Sequence, residues 1–174
     1  EGDTADWETA SFSLANYTNQ DVRFKFRFGT DSSVEAYEGW YFDNIEVNSG
    51  TQTHFEDDFE DGDGDWMADI VESEWNYYSN KSYSADYSWY LGNPSTETYS
   101  ASLNDSLESP TFNIGDGAEK YVSAMVWFAI DGPNDFVNLE INQSGEWKLL
   151  ETFPGNDGDY SSEYDGSDDN AVSY

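Results

Sequence analysis

The stretch DVRFKFRFGTD, residues 21–31, decides the class of fold. Side chains of a β-strand point alternately to the two faces of a sheet, so a strand with one buried face shows an apolar residue at every second position. Four apolar residues alternate here with three basic ones: Val22, Phe24, Phe26 and Phe28 against Arg23, Lys25 and Arg27. The pattern predicts a half-buried strand.

Similar patterns recur along the chain, separated by clusters of Gly, Asn, Asp and Pro that are typical of turns. In GWYFDNIEV (39–47) the alternation places Asp43 on the same, core-facing side as Ile45 and Val47. The other candidate strands are ETASFSL (8–14), SPTFNI (109–114), KYVSAMVWFAI (120–130), DFVNLEI (135–141) and EWKLLETF (146–153). A short helical turn is predicted only in WMADIVESEW (66–75). We therefore expect an all-β sandwich.

Composition limits the kinds of partner that the chain can have. Its 174 residues include 37 acidic and 6 basic ones, giving a formal net charge of −31, and no cysteine. Nucleic acid and anionic membrane surfaces attract basic proteins, so neither is an expected partner. No apolar run is long enough to cross a membrane. The 7 Trp, 13 Tyr and 11 Phe distinguish the chain from disordered acidic segments, which are poor in aromatic residues.

Two parts of the sequence are similar to each other. Residues of the first part have similar counterparts in the second part: Phe12, Leu14, Val22, Phe26, Phe28 and Asp31 correspond to Phe112, Ile114, Val122, Val126, Phe128 and Asp131. FDNIEV (42–47) then matches FVNLEI (136–141). Either the chain contains two related structural units, or strand alternation alone produces the match.

Four segments carry a resemblance to a known family. These are VRFKFRFGTDSSVEAYEGWYFDNIEV (22–47), DFEDGDGDW (58–66), LNDSLESPTFNI (103–114) and DFVNLEINQSGEWKLL (135–150). Together they resemble the MAM-like and carbohydrate-binding-module-like jelly rolls of secreted prokaryotic proteins, including domains appended to immune inhibitor A-type peptidases. The resemblance implies a jelly-roll sandwich of two antiparallel sheets and an extracellular or cell-surface location.

The order of these segments differs from that of the family, whose closing strands come last. Here residues 1–48 resemble the closing strands, and residues 53–174 resemble the opening and central part. The chain could be a permuted domain, one period of a tandem array, or a unit whose first strands complete the sheet of a neighbour. An arbitrary chain boundary is the remaining alternative.

The resemblance also implies a structural calcium ion, shared by the Glu of the opening segment and an Asp of the closing strand. The matching residues are Glu60 and Asp43. A core-facing carboxylate at position 43 would be costly without a cation, and carboxylate oxygens suit calcium. Further candidate ligands are Asp61, Asp63 and Asp65 for the same ion, and Asp131 and Asp135 for a second one. The alternative is that these acidic loops are simply solvated.

The acidic run does not fit the calcium loop of an EF-hand. Asp61, Asp63, Asp65 and Glu72 have the required spacing, but the sixth position of that loop needs Gly and is Trp66 here. The flanking segments are not helical either.

Two strand faces are candidate contact surfaces. Arg23, Lys25 and Arg27 either pair with acids of the same molecule, such as Glu46, or form a subunit interface with the acidic surface of a neighbour. Tyr121, Met125 and Trp127 share one face of their strand. That face is either covered within the chain or a platform for glycans or partners, since sugars stack on aromatic rings.

Catalytic signatures are absent from the sequence. His54 is the only histidine, and there is no G-x-S-x-G motif. We therefore expect no enzymatic activity. Because acid pairs are too numerous to be informative here, a carboxylate-only glycosidase is the remaining alternative. The leading prediction is a calcium-stabilised extracellular structural protein, namely a repeat or subunit of a filament, sheath or adhesin-like array that contacts copies of itself. The alternative is a carbohydrate-binding or peptidase-accessory module that binds polysaccharide.

Overall fold

The computed structural model describes residues 6–33, 37–68, 72–117, 119–132 and 134–155, and contains no helix within these ranges. Twelve strands lie in them. Their bounds are β1 Glu8–Ser13, β2 Asp21–Gly29, β3 Gly39–Ser49, β4 Gln52–Asp57, β5 Met67–Ala68, β6 Trp75–Tyr78, β7 Ser88–Leu91, β8 Asn104–Glu108, β9 Phe112–Asn113, β10 Lys120–Ala129, β11 Phe136–Gln143 and β12 Glu146–Pro154.

The strands form two antiparallel six-stranded sheets that pack against each other. The front sheet has the order β1-β10-β3-β7-β6, and β4 pairs with the second half of β3. The back sheet has the order β12-β11-β2-β8-β5, and β9 pairs with the first residues of β2. This arrangement confirms the predicted all-β jelly-roll sandwich of two antiparallel sheets.

The first three strands do not pair with one another. β1 and β3 lie on either side of β10, while β2 lies between β11 and the strands β8 and β9. The two similar parts of the sequence, β1 to β3 and β9 to β11, are therefore intertwined in the fold. β10 lies between β1 and β3, just as β2 lies between β9 and β11. One pairing is reciprocal: Phe12 is opposite Val122, and Val22 is opposite Phe112. β3 therefore fills an internal position in the front sheet and β2 fills one in the back sheet, whereas β1 lies at the edge of the front sheet.

Aromatic side chains fill much of the space between the sheets. The phenylalanines of β2 are buried, and Phe26 contacts both Trp40 and Phe42, at ring-centroid distances of 5.2 and 4.4 Å. Trp66 joins the same cluster from the loop of residues 57–66, which we call the acidic loop, and lies 5.3 Å from Phe42. Burial of such large apolar surfaces is the main source of stability in a sandwich without disulfides.

A β-bulge interrupts β3 next to Asp43. Met125 of β10 is opposite Asp43 and Ser123 is opposite Glu46, so the bulged strand holds one extra residue. Asn44 adopts a φ of 48° there. Because the bulge reverses the alternation, Phe42 before it and Ile45 after it both face the core, and Asp43 lies on the opposite face from Phe42. The predicted core-facing alternation of Asp43 with Ile45 and Val47 was wrong.

Other sequence expectations also need correction. The predicted helical turn in residues 66–75 was wrong where the chain is described, because Met67–Ala68 is a strand and β6 begins at Trp75; residues 69–71 lie outside the described ranges. Of the segment 109–114 only Phe112–Asn113 is a strand. Five of the described strands were not predicted as strands: β4, β5, β6, β7 and β8. All four residues of β7 are buried, so it lacks the alternation that marks a half-buried strand.

Candidate functional site

The loop between β6 and β7, residues 79–87, lies over the outer side of the front sheet; we call it the strap. Its main chain binds the carboxylate of Asp43. The N–H groups of Tyr83 and Ser84 both donate to Asp43 Oδ2, each at 2.8 Å. The N–H of Asn44 donates to Oδ1 at 2.7 Å. Asp43 has no exposed surface, so these donors replace the water that a carboxylate normally binds.

The strap binds Glu60 in the same way. The N–H of Asp86 lies 3.0 Å from both carboxylate oxygens of Glu60, and the N–H of Tyr87 lies 3.0 Å from Oε1. One loop therefore holds two carboxylates that come from different parts of the chain, β3 and the acidic loop. The structure brings together the two residues that the family resemblance paired.

Ser84 lies between these two carboxylates, and its hydroxyl is surrounded by acceptors. The oxygens near Ser84 Oγ are Asp43 Oδ1 (3.1 Å) and Oδ2 (3.0 Å), Glu60 Oε1 (2.7 Å), and the main-chain oxygens of Asp58 (3.1 Å) and Tyr87 (3.4 Å). A hydroxyl carries a single proton and can donate to only one of them at a time. The carboxylate oxygens also accept from main-chain N–H groups, but five oxygens converge on one hydroxyl, and a cation would add positive charge among them.

The two carboxylates differ in their electrostatic environment. Burial raises the pKa of Asp43 above its ordinary value, although the hydrogen bonds from the strap and from Asn44 act in the opposite direction. The pKa of Glu60 is lowered, chiefly by the N–H of Asp86 and then by the Ser84 hydroxyl. Glu60 is thus held as an anion, whereas the ionised form of Asp43 lacks full compensation.

The oxygens around Ser84 are of the types that calcium binds. Calcium binds carboxylate, carbonyl and hydroxyl oxygens with flexible geometry, and Asp43, Glu60, Asp58 and Tyr87 supply the first two types. Among the described residues, however, no group of three or more acidic, His or Cys side chains is arranged to hold a metal. The site would therefore depend on two carboxylates supplemented by main-chain oxygens.

The acidic residues 61, 63 and 65 do not join this cluster, and all three are exposed. The loop that carries them is organised by Asp57. Its Oδ1 accepts from the N–H of Phe59 at 3.0 Å, and its Oδ2 accepts from the indole N–H of Trp66 at 3.1 Å. Gly64 passes so close to Asp57 that a Cβ at that position would lie 1.9 Å from Oδ2.

Asp131 and Asp135 flank a loop that is tied by Tyr99. The hydroxyl of Tyr99 donates to Asp135 Oδ2 at 2.7 Å and accepts from the N–H of Asp131 at 2.7 Å. The other oxygen of Asp135 accepts from the N–H of Asp31 at 2.8 Å. Asp135 is buried and both of its oxygens have protein donors, so its geometry is that of a structural carboxylate.

The basic residues of β2 pair with acids of the same sheet. Glu108 on β8 accepts from Arg23 at 2.7 Å and from Lys25 at 3.1 Å, and Glu140 on β11 lies 3.3 Å from Arg27. Glu46, the partner suggested by the sequence, belongs to the other sheet. A further contact places Lys25 Nζ 4.0 Å from the ring centroid of Trp147. Much of the charge of this face is balanced within the molecule.

Tyr121, Met125 and Trp127 do not form one open face. Tyr121 is 44 % exposed, whereas Trp127 is only 6 % exposed. The ring of Trp127 faces Lys81 of the strap, whose Nζ lies 3.1 Å from the ring centroid. Tyr41 packs against Trp127 edge-on at 5.4 Å. Trp127 therefore belongs to a covered aromatic cluster and offers no free ring for stacking.

Sequence reasoning missed the residues that build the site around Asp43 and Glu60. Ser84 and the other strap residues lie in a polar stretch without periodicity, so nothing marks them in the sequence. Lys81 could have been recognised from the sequence, because it is one of only 6 basic residues and lies among several tyrosines. A lone lysine in an aromatic segment suggests a cation–π contact.

Comparison with family models, with curated proteins and with solved structures finds no match to this chain. The resemblance to MAM-like and carbohydrate-binding-module-like domains accordingly stays a prediction. None of the described segments is a helix with the length and apolar character needed to span a membrane.

Proposed function

We propose that this chain is a calcium-stabilised structural unit, a repeat or subunit of an extracellular or cell-surface assembly made of copies of itself. The observation that carries the proposal is the crowding of acceptor oxygens around Ser84. Two carboxylates and two main-chain oxygens converge on a hydroxyl that can satisfy only one of them. Burial disfavours the ionised form of Asp43 even though main-chain N–H groups donate to it, and a bound cation would offset that cost.

Asp43 and Glu60 would hold the calcium ion, with the main-chain oxygens of Asp58 and Tyr87 as further ligands. The ion would supply positive charge where burial disfavours the ionised form of Asp43. It would also join β3, the acidic loop and the strap, which contribute to the site from three parts of the chain. On a molecule with a net charge of −31, cation binding reduces self-repulsion as well.

Strand completion between copies would provide the assembly. The three strands of residues 8–49 do not pair with one another. All of their strand partners lie in residues 52–154. The same segment from a neighbouring copy would find the same partners. If each copy donates these strands to the next copy, the result is a fibre. If each chain pairs them with its own sheets, the result is a closed monomer.

The test measures melting temperature and solution mass of the same samples, with calcium and with a chelator. We expect calcium to raise the melting temperature of the wild type and to favour larger assemblies in light scattering. Asp43→Asn and Glu60→Gln should lose most of the calcium-induced stabilisation. A matched control is Asp63→Asn, which removes an exposed carboxylate of the same loop and should respond to calcium as the wild type does.

Each outcome has a clear meaning. If calcium leaves the melting temperature unchanged, the candidate site does not bind it. If Asp63→Asn loses as much stabilisation as Asp43→Asn, the effect is general screening of charge. A monomer under both conditions would contradict the assembly and favour the alternative, a carbohydrate-binding module, for which glycan screening would follow.

A further inference from the structure

The strap is attached to the front sheet at two separate places. At one end of it, the main chain of Tyr83–Tyr87 binds Asp43 and Glu60 as described above. At the other end, the side chain of Lys81 enters a pocket formed by aromatic rings and one carboxylate. This second attachment involves none of the oxygen atoms of the candidate calcium site.

Three groups surround the ammonium of Lys81. It lies 3.1 Å from the ring centroid of Trp127 and 4.8 Å from that of Tyr41, and 2.5 Å from Glu38 Oε1. The hydroxyl of Tyr41 donates to the same oxygen of Glu38 at 2.9 Å. The pocket thus combines two aromatic rings with an anion, so cation–π attraction and a charge-assisted hydrogen bond both hold the ammonium group.

The pocket is rigid because its walls are part of a second aromatic cluster. Tyr41 stacks on Tyr90 at a centroid distance of 4.3 Å, and Tyr78 packs against both rings. The hydroxyl of Tyr90 donates to the main-chain oxygen of Glu38 at 2.7 Å, which fixes the residue that carries the anion. The side chains of Lys81 and Glu38 are 29 % and 26 % exposed, so water screens their contact only in part.

Lys81 is close in sequence to the groups that bind the two carboxylates. Two residues separate it from Ser84, and its main-chain oxygen accepts from the hydroxyl of Ser88 at 2.7 Å, at the start of β7. Anchoring the side chain of Lys81 therefore fixes the strap before Tyr83, while Ser88 fixes it after Tyr87. The N–H groups between these anchors have little freedom to leave Asp43 and Glu60.

We propose that Lys81 is the positioning residue of the candidate calcium site: its ammonium, held by Trp127, Tyr41 and Glu38, keeps the strap in the conformation that surrounds Asp43 and Glu60. The effect on calcium rests on the proposed function, whereas the effect on the strap does not. Lys81 itself contacts neither carboxylate of the site, so it acts only through the loop that carries it.

The experiment compares the full chain with Lys81→Met, which keeps much of the apolar stem and removes the charge. Hydrogen exchange is measured by NMR in chelator at the amides of residues 83, 84, 86 and 87. We expect exchange at these four amides to become at least about tenfold faster, while amides of the central strands β2 and β10 keep their rates. Calcium titration by calorimetry should show an affinity about tenfold weaker than that of the wild type.

Three further variants test whether the positive charge of Lys81 and its pairing with Glu38 hold the strap. Lys81→Arg keeps a cation that stacks on aromatic rings and pairs with carboxylates, and should retain most of the protection. Glu38→Gln keeps an acceptor for Tyr41 but removes the anion, and should give part of the effect of Lys81→Met. Lys148→Met is the matched control, because Lys148 is an exposed lysine of β12 that contacts Gln143. Lys148→Met should change neither the exchange rates of the four strap amides nor the affinity for calcium.

The outcomes separate the two proposals. If the wild type binds no calcium, the proposed function fails, and the exchange rates still test the role of Lys81 in holding the strap. If the wild type binds calcium and Lys81→Met changes neither the four exchange rates nor the affinity, the role assigned to Lys81 is overturned. Faster exchange throughout both sheets would also overturn it, since Lys81 would then support the whole fold.

Discussion

The indole N–H of Trp66 donates to Asp57 Oδ2 over 3.1 Å, and this bond closes the acidic loop of residues 57–66. Trp66 lies in the core, where its ring packs against Phe42 and Phe26. Asp57 is also bound by the N–H of Phe59. The loop therefore keeps a fixed course through one carboxylate and one aromatic residue, while Asp61, Asp63 and Asp65 are exposed.

Trp66→Phe should destabilise the protein by about 2–4 kcal/mol, because it removes the bond to Asp57 and leaves space in the core. Urea unfolding at neutral pH and fixed salt measures the change. Trp147→Phe is the matched control, since Trp147 is a partly exposed tryptophan of β12 that packs against basic side chains. It should cost less than about 1 kcal/mol. Equal losses for the two variants would contradict a special role for the Asp57–Trp66 bond.

The stability contributed by Asp57 should depend on pH. Burial is the main cause of the raised pKa of Asp57, and nearby Asp58 and Asp63 add to it. A carboxyl group whose pKa is higher in the folded than in the unfolded state favours folding once it is protonated. This gain is complete below the ordinary pKa of Asp and is lost as pH rises through the raised value.

The measurement is the free energy of unfolding of the wild type and of Asp57→Asn in chelator, from neutral pH down to about pH 4. The difference between the two proteins cancels the general relief of charge repulsion, which both share. It should shift in favour of the wild type as pH falls. A difference that stays constant, or shifts towards the variant, would contradict a raised pKa at Asp57.

The bulge in β3 requires a residue that accepts a positive φ. Asn44 has a φ of 48°, and its side-chain oxygen is buried without a hydrogen-bond partner among the described residues. Asn44→Gly should therefore change stability by less than about 1 kcal/mol, whereas Asn44→Val should cost about 1–3 kcal/mol because β-branched residues avoid this conformation. Thermal unfolding of both variants tests this. If Val is tolerated as well as Gly, the strand does not need the bulge.

Removal of residues 1–48 should prevent folding of the remaining chain. β10 would lose both of its neighbours and β11 would lose β2, which leaves long unpaired edges in both sheets. We expect the truncated chain to aggregate or to stay unfolded in circular dichroism. Addition of a peptide of residues 1–48 should restore the fold in trans, because its strands pair only with the other part of the chain. A stable soluble monomer without residues 1–48 would exclude strand completion.

The sequence predicted the long half-buried strands because alternation is a local property. β2 shows it without interruption, and the structure has this strand in the centre of the back sheet. β7 could not be found in the same way, since both of its faces are covered: Trp89 faces the core between the sheets, and Tyr90 faces the cluster under the strap. Burial on both faces depends on what else packs there, which local pattern does not contain.

The candidate site was predicted in part. Asp43 and Glu60 were paired on the basis of a family resemblance, and the structure brings them to the same hydroxyl of Ser84. The predicted core-facing position of Asp43 was wrong, because the bulge at Asn44 turns this residue away from the core. Its burial results from the strap, a non-periodic loop whose position depends on main-chain hydrogen bonds and on Lys81.

The placement of the first strands has a consequence for synthesis of the chain. β2 is translated before every strand that pairs with it, the first of which is β8, and β1 pairs only with β10. The ribosome therefore releases a phenylalanine-rich strand whose edges stay unpaired until β8 has been made. Such strands aggregate readily unless charged residues flank the apolar ones. Arg23, Lys25 and Arg27 separate the four apolar residues of β2, so the stripe that pairs with Glu108 and Glu140 in the native protein also protects the nascent chain.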